Sequence, residues 1–138
     1  MPRKTESHRP ADWLWIATSD LELVRLAAER EVGFYAAHSK LAEVLEKVLK
    51  AELLRAGWTL EKTHDLDRLL EALRERGSTL LPQVEPLCDQ LAEVYFTDRY
   101  PGFDLDDPDW PSLRTEADQM AALLAAVQAR LDDPPVAS

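Results

Sequence analysis

Apolar side chains recur three and four positions apart through most of this chain, and no segment alternates every second residue over a strand's length. That spacing lines up one side of an α-helix, whereas a half-buried strand needs a period of two. Glycine, the residue most tolerant of turns, occurs only four times in 138 residues. No internal repeat interrupts the pattern. The chain is therefore read as all-α.

Five helices are expected. The first spans about 11–30, with Trp13, Ile16, Ala17, Val24, Ala27 and Ala28 on one side and Asp20 interrupting the stripe. The second, over about 32–56, is the longest and should stop at Gly57 in a left-handed cap. Its inner face is Leu41, Leu45, Val48 and Leu49, flanked by Phe34, Tyr35, Ala42 and Leu53. Lys40, Glu43, Glu46, Lys47 and Lys50 take the other side, with Glu43–Lys47 and Glu46–Lys50 at a favourable i,i+4 spacing.

The third helix, about 65–76, is short; Thr63 or Asp65 caps it and Gly77 ends it. The fourth covers about 83–98 and closes before Pro101. After a Pro- and Asp-rich loop, the fifth runs from Ser112, as its cap, to about 131, with Leu113, Ala117, Met120, Leu124, Val127 and Leu131 in a narrow stripe. Brief connections between such helices predict an antiparallel four-helix bundle of the up-and-down type with an additional short helix. The expected organisation is a flexible leader at 1–11, the helical domain at 12–131 and a flexible tail at 132–138.

Charge narrows the partners. The formal net charge is −10. Residues 1–60 carry nine basic and nine acidic side chains, while 61–138 carry seven against seventeen, so the whole excess lies in the second part. Extended binding to nucleic acid or to an anionic membrane is not expected, because phosphates would be repelled on average. A small anion pocket near the longest helix is compatible with that asymmetry. The leader has no apolar core of a secretory signal, and no stretch approaches the ~20 apolar residues that span a bilayer. The single cysteine, Cys88, sits in an apolar helical pattern and fits a buried thiol in a reducing compartment. A cytoplasmic location is expected.

Few motifs carry chemistry. There is neither a P-loop nor a dinucleotide fingerprint. Glu61-Lys62-Thr63-His64 is one Glu-x-x-His tetrad, whereas paired-metal bundles use two on separate helices. The acidic run from Asp104 places Asp109 and Thr115 where a calcium loop wants Gly and Glu. No metal and no cofactor are expected. What remains is Asp20 within a packed stripe, Lys47 and Lys50 along one side of the longest helix, and His64 at the entrance to the third. From the residues alone these read as a buried ion pair and a capping histidine.

Taken in order, Ala17-x-x-Asp20-Leu21, Glu46-Lys47-Val48-Leu49-Lys50-Ala51, Thr63-His64-Asp65-Leu66 and Tyr95-x-x-x-Arg99-Tyr100-Pro101 resemble the HEPN domain, a small helical module often proposed to bind nucleotides. The resemblance spans about 13–131. It implies a four- or five-helix bundle, commonly a homodimer, and in many bacteria a partner of a small nucleotidyltransferase in a toxin–antitoxin-like pair. By position it also implies that Asp20, Glu46, Lys47, Lys50, His64 and Arg99 form the ligand- or partner-binding set.

The chain departs from the family pattern twice. Paired glutamines often precede the family's Glu-Lys, where Ala42 and Glu43 stand here. Ribonuclease members follow an Arg by four to six residues and then a His; downstream of Arg99 those positions hold Asp104, Leu105 and Asp106. Cleavage of that kind thus lacks its proton-transfer group. The leading expectation is a non-catalytic, homodimeric binding module that engages a nucleotide or a nucleotidyltransferase. Its alternatives are a divergent ribonuclease toxin using His64 and Arg99, and a regulatory protein-interaction dimer without nucleotide.

Overall fold

The computed structural model of the chain describes residues 7–92, 94 and 107–132. Among them are five α-helices and no strand: α1 (Pro10–Arg30), α2 (Phe34–Arg55), α3 (Leu66–Glu75), α4 (Leu81–Leu91) and α5 (Trp110–Asp132). The far end of the expected fourth helix lies outside the described residues, together with Tyr95, Arg99, Tyr100, Pro101 and the acidic loop through 106.

Local chemistry explains most helix boundaries. At the end of α2, Trp58 N–H bonds Leu53 C=O and Gly57 N–H bonds Leu54 C=O, with Gly57 at φ +93°. That pair of bonds is a Schellman ending, and the buried Trp58 ring supplies its apolar contact. The end of α3 repeats it, with Gly77 bonding Arg74 and Ser78 bonding Leu73. Asp65 caps α3, its carboxylate accepting from Asp67 and Arg68 N–H groups, while Thr63 Oγ1 accepts from the Asp65 N–H. The cap of α5 is Asp109 rather than Ser112: Asp109 accepts from the Ser112 N–H and from its hydroxyl, so the cap sits three residues early. Those bonds also hold the Asp109 carboxyl below its ordinary pKa.

Helix α2 is central; it packs on α1, α3, α4 and α5, while α1 also meets α5, and α4 meets α3 and α5. Cross-helix pairs fix direction. Asp20–Lys47 and Trp13–Lys50 make α1 antiparallel to α2. Arg25–Asp118 and Glu31–Arg114 make α5 antiparallel to α1, so α5 runs with α2. The beginnings of α2 and α5 are joined by Phe34, stacked edge-on to Trp110 with centroids 5.2 Å apart, and by His38 at 3.4 Å from Glu116.

Three core expectations shift. On α1 the buried side is Leu14, Ala17, Leu21, Val24 and Ala28, and Ile16, expected inside, is exposed. The cause is an apolar second face: Trp15, Ile16, Leu23 and Leu26 give α1 two stripes, and periodicity alone does not say which one is covered. On α5, Leu123 takes the core position and Leu124 is half-buried. On α2, the side expected to be solvated is largely enclosed, Glu46 and Lys50 being buried, because neighbours press on the helix from several directions.

Candidate functional site

Two polar groups join α2 to its neighbours. In the first, Lys47 Nζ lies 2.5 Å from Asp20 Oδ2, so the carboxylate that interrupts the α1 stripe is neutralised from across the helix pair. Both side chains are about four-fifths covered, which raises the value of the pair above that of a surface bridge.

The second group is a chain of contacts centred on Glu46. Lys50 is 0% exposed. Its Nζ sits 3.0 Å from Glu46 Oε2 and 5.0 Å above the centre of the Trp13 ring. An unpaired ammonium at that depth would cost several kcal/mol; the carboxylate and the ring's negative face together offset it. Trp13 is itself pinned, its indole N–H donating to the Ser7 carbonyl at 2.8 Å. The other oxygen of Glu46, Oε1, is 3.0 Å from His64 Nδ1. An ionised carboxylate only accepts, so Nδ1 carries the proton there and Nε2 is the ring's outer nitrogen. The His64 side chain is 64% exposed.

Of the six residues expected to form one binding set, five fall into these two groups: Asp20 with Lys47, and Lys50 with Glu46 and His64. Arg99 lies outside the described residues. The arrangement differs from an open cationic pocket in one respect. Lys50 is enclosed and its charge is spent on Glu46, Lys47 is paired with Asp20 and about four-fifths covered, and His64 is the member most open to solvent among those described. His64 does not cap α3, since Asp65 does. Glu61, the other half of the Glu-x-x-His tetrad, turns instead to Arg68, whose Nε and Nη2 approach it at 3.2 and 2.9 Å. That guanidinium holds the Glu61 carboxyl below its ordinary pKa, while His64 turns to Glu46, so the two ends of the tetrad face different partners.

Sequence reasoning missed two contributors, Trp13 and Glu52. Trp13 meets Lys50 from another helix, and no spacing rule connects them. Glu52 is different: like Asp20 it breaks an apolar run, here Ala51-Glu52-Leu53-Leu54, and it is 2% exposed. Its carboxylate on a packed face is as costly without a partner as that of Asp20. Its partners are Arg55 and Arg130, the latter 3.0 Å away on α5.

The family model described as the HEPN domain matches residues 10–129, from the first residue of α1 almost to the end of α5. This chain belongs to the HEPN family. Searches of curated proteins and of solved structures gave no match. The matched span of this HEPN chain takes in both polar groups, α1 to α4 and most of α5.

Proposed function

We propose that this HEPN chain is a non-catalytic binding module that acts as a homodimer and engages a small nucleotidyltransferase in a toxin–antitoxin-like pair. The observation that carries the reading is the outer stripe of α1. Trp15 is 78% exposed, and Ile16, Leu23, Leu26 and, just beyond the helix, Val32 are also open to solvent. Covering such a stripe is favourable by roughly 25 cal/mol for each Å² of apolar area removed from water. Contiguous exposed apolar groups on a charged protein mark an interaction surface. A second copy is the occupant of choice, because a two-fold axis brings the same apolar helix against itself.

Enclosure of Lys50 and the pairing of Lys47 with Asp20 favour a protein partner over a nucleotide, since His64 is the one described member of the set that is largely exposed. Sedimentation of the native chain should give a dimer, and Trp15→Glu with Leu23→Glu should give a helical monomer. A native monomer at tens of micromolar sinks the dimer. Calorimetry with ATP, AMP and GTP tests the nucleotide version, which predicts heat that His64→Ala removes.

One contact supports a second reading. A buried carboxylate behind an exposed imidazole is the arrangement that orients a histidine for proton transfer. Glu46 and His64 have it, and a divergent ribonuclease would use His64 with Arg99. Labelled RNA incubated with the native chain and with His64→Ala decides the matter; equal cleavage by both, or none, removes the enzyme.

A further inference from the structure

Away from both polar groups, the ends of α2, α3 and α5 meet around a cavity of about 230 Å³. Arg55, Arg76 and Arg130 line it, with Ser78, Thr79 and the buried Glu52. Three of the chain's sixteen basic side chains thus share one concavity in a protein of net charge −10. We infer that this cavity binds a phosphoryl group, either free phosphate or the phosphate of a small monoester. The inference does not rest on the dimer or on the nucleotidyltransferase partner.

Two of the guanidinium groups are set in place beforehand. Glu52 Oε1 takes Arg55 through Nε and Nη2, each at 2.5 Å. Glu52 Oε2 takes Arg130 Nη1 at 3.0 Å, and Arg130 Nη2 bonds Thr79 Oγ1. A buried carboxylate that fixes two arginines lowers the ordering cost of binding. Arg76 is the third cation, exposed and without a hydrogen bond or ion pair from its guanidinium among the described residues. Three cations against one carboxylate leave two positive charges uncompensated, which matches the ≈ −1.5 to −2 of a phosphate monoester at neutral pH.

The hydroxyls agree with that assignment. Ser78 Oγ accepts from the Leu80 N–H and Thr79 Oγ1 accepts from Arg130, so each still has its own O–H to donate. The ligand then meets donors, as an acceptor-only phosphate requires. Arginines also sit at helix ends to offset the dipole. Here, however, the carbonyls of Leu53 and Leu54 in α2 and of Leu73 and Arg74 in α3 already accept Schellman bonds, and Arg55 and Arg130 are held by Glu52. The cavity is smaller than the ≈ 300–1,000 Å³ of drug-sized pockets, which suits one phosphate and not a whole nucleotide.

The test is calorimetry of the full chain with inorganic phosphate, AMP and adenosine, with sodium chloride holding ionic strength constant. Saturable binding of phosphate and AMP, but not adenosine, is expected. Arg76→Ala removes an exposed side chain and should weaken phosphate binding at least about tenfold, a change in line with loss of one charge-assisted bond. Lys40→Ala, which removes a cation elsewhere on α2, should leave phosphate binding as in the native chain, which separates the effect of Arg76 from a general loss of positive charge. The inference is overturned by the absence of saturable phosphate binding, by adenosine binding as well as AMP, or by Arg76→Ala binding phosphate like the native protein.

Discussion

At the scale of single residues, Lys50 shows how strongly context overrides type. Lysine is among the residues least often fully buried, yet this one is 0% exposed between Glu46 and the Trp13 ring. Removing one partner of such a pair strands the other. Lys50→Met should therefore destabilise the protein by about 3–5 kcal/mol in urea unfolding, and Glu46→Leu added to it should recover most of that loss. A double variant no more stable than Lys50→Met would mean that the ion pair is not what the site protects. Cys88 gives a pH prediction. Burial, with the carboxylates of Asp67 and Asp89 adding to it, pushes its thiol up to about 12. The unfolded thiol ionises near 8.5, so between these values the unfolded state holds fewer protons. The Cys88 contribution to stability is whole below about pH 8.5 and is lost as pH rises toward 12. Urea midpoints should fall over that range in the native chain, and the fall should be smaller in Cys88→Ala.

At the scale of elements, the helix endings separate what a sequence states from what it leaves open. Gly57 and Gly77 were legible as stops because only glycine adopts positive φ without strain, and both do so here. Gly57→Ala meets no neighbouring atom, yet it should cost about 1 kcal/mol or more, measured as a lower urea midpoint, because φ stays at +93°. The end of α1, expected at about 30 and found at Arg30, carries no glycine. Glu31 holds the left-handed position at φ 54°, and Val32 N–H bonds Ala27 C=O. Arg114, from the distant α5, bonds both Glu31 and the Ala28 carbonyl, so a long-range contact steadies a conformation that Glu disfavours. For α3, Asp65 and Thr63 were both candidates by type, and geometry divides the work between them. Asp65→Ala should lower stability by about 1 kcal/mol, whereas Thr63→Ala should do less.

At the scale of the whole molecule, the HEPN chain combines an acidic second part with an apolar stripe on its first helix. If α1 packs on α1, the dimer binds only folded chains, and the thermal midpoint rises with protein concentration. Trp15→Glu with Leu23→Glu should abolish that rise; a midpoint independent of concentration in the native chain contradicts the dimer. The sequence by itself determined that the chain is helical, where α2 and α3 stop, and which polar residues break apolar stripes. These follow from local rules: side-chain period, the φ freedom of glycine, and the cost of a carboxylate on a packed face. Only the tertiary structure decided that α2 is enclosed and which of two apolar faces of α1 is covered. It also decided that Lys50 is spent on Glu46 beneath Trp13, and that three arginines at or just past the ends of separate helices share a cavity with Glu52. Each of these depends on residues far apart in the chain being brought together, and a periodic pattern says which side of a helix is apolar without saying what will lie against it.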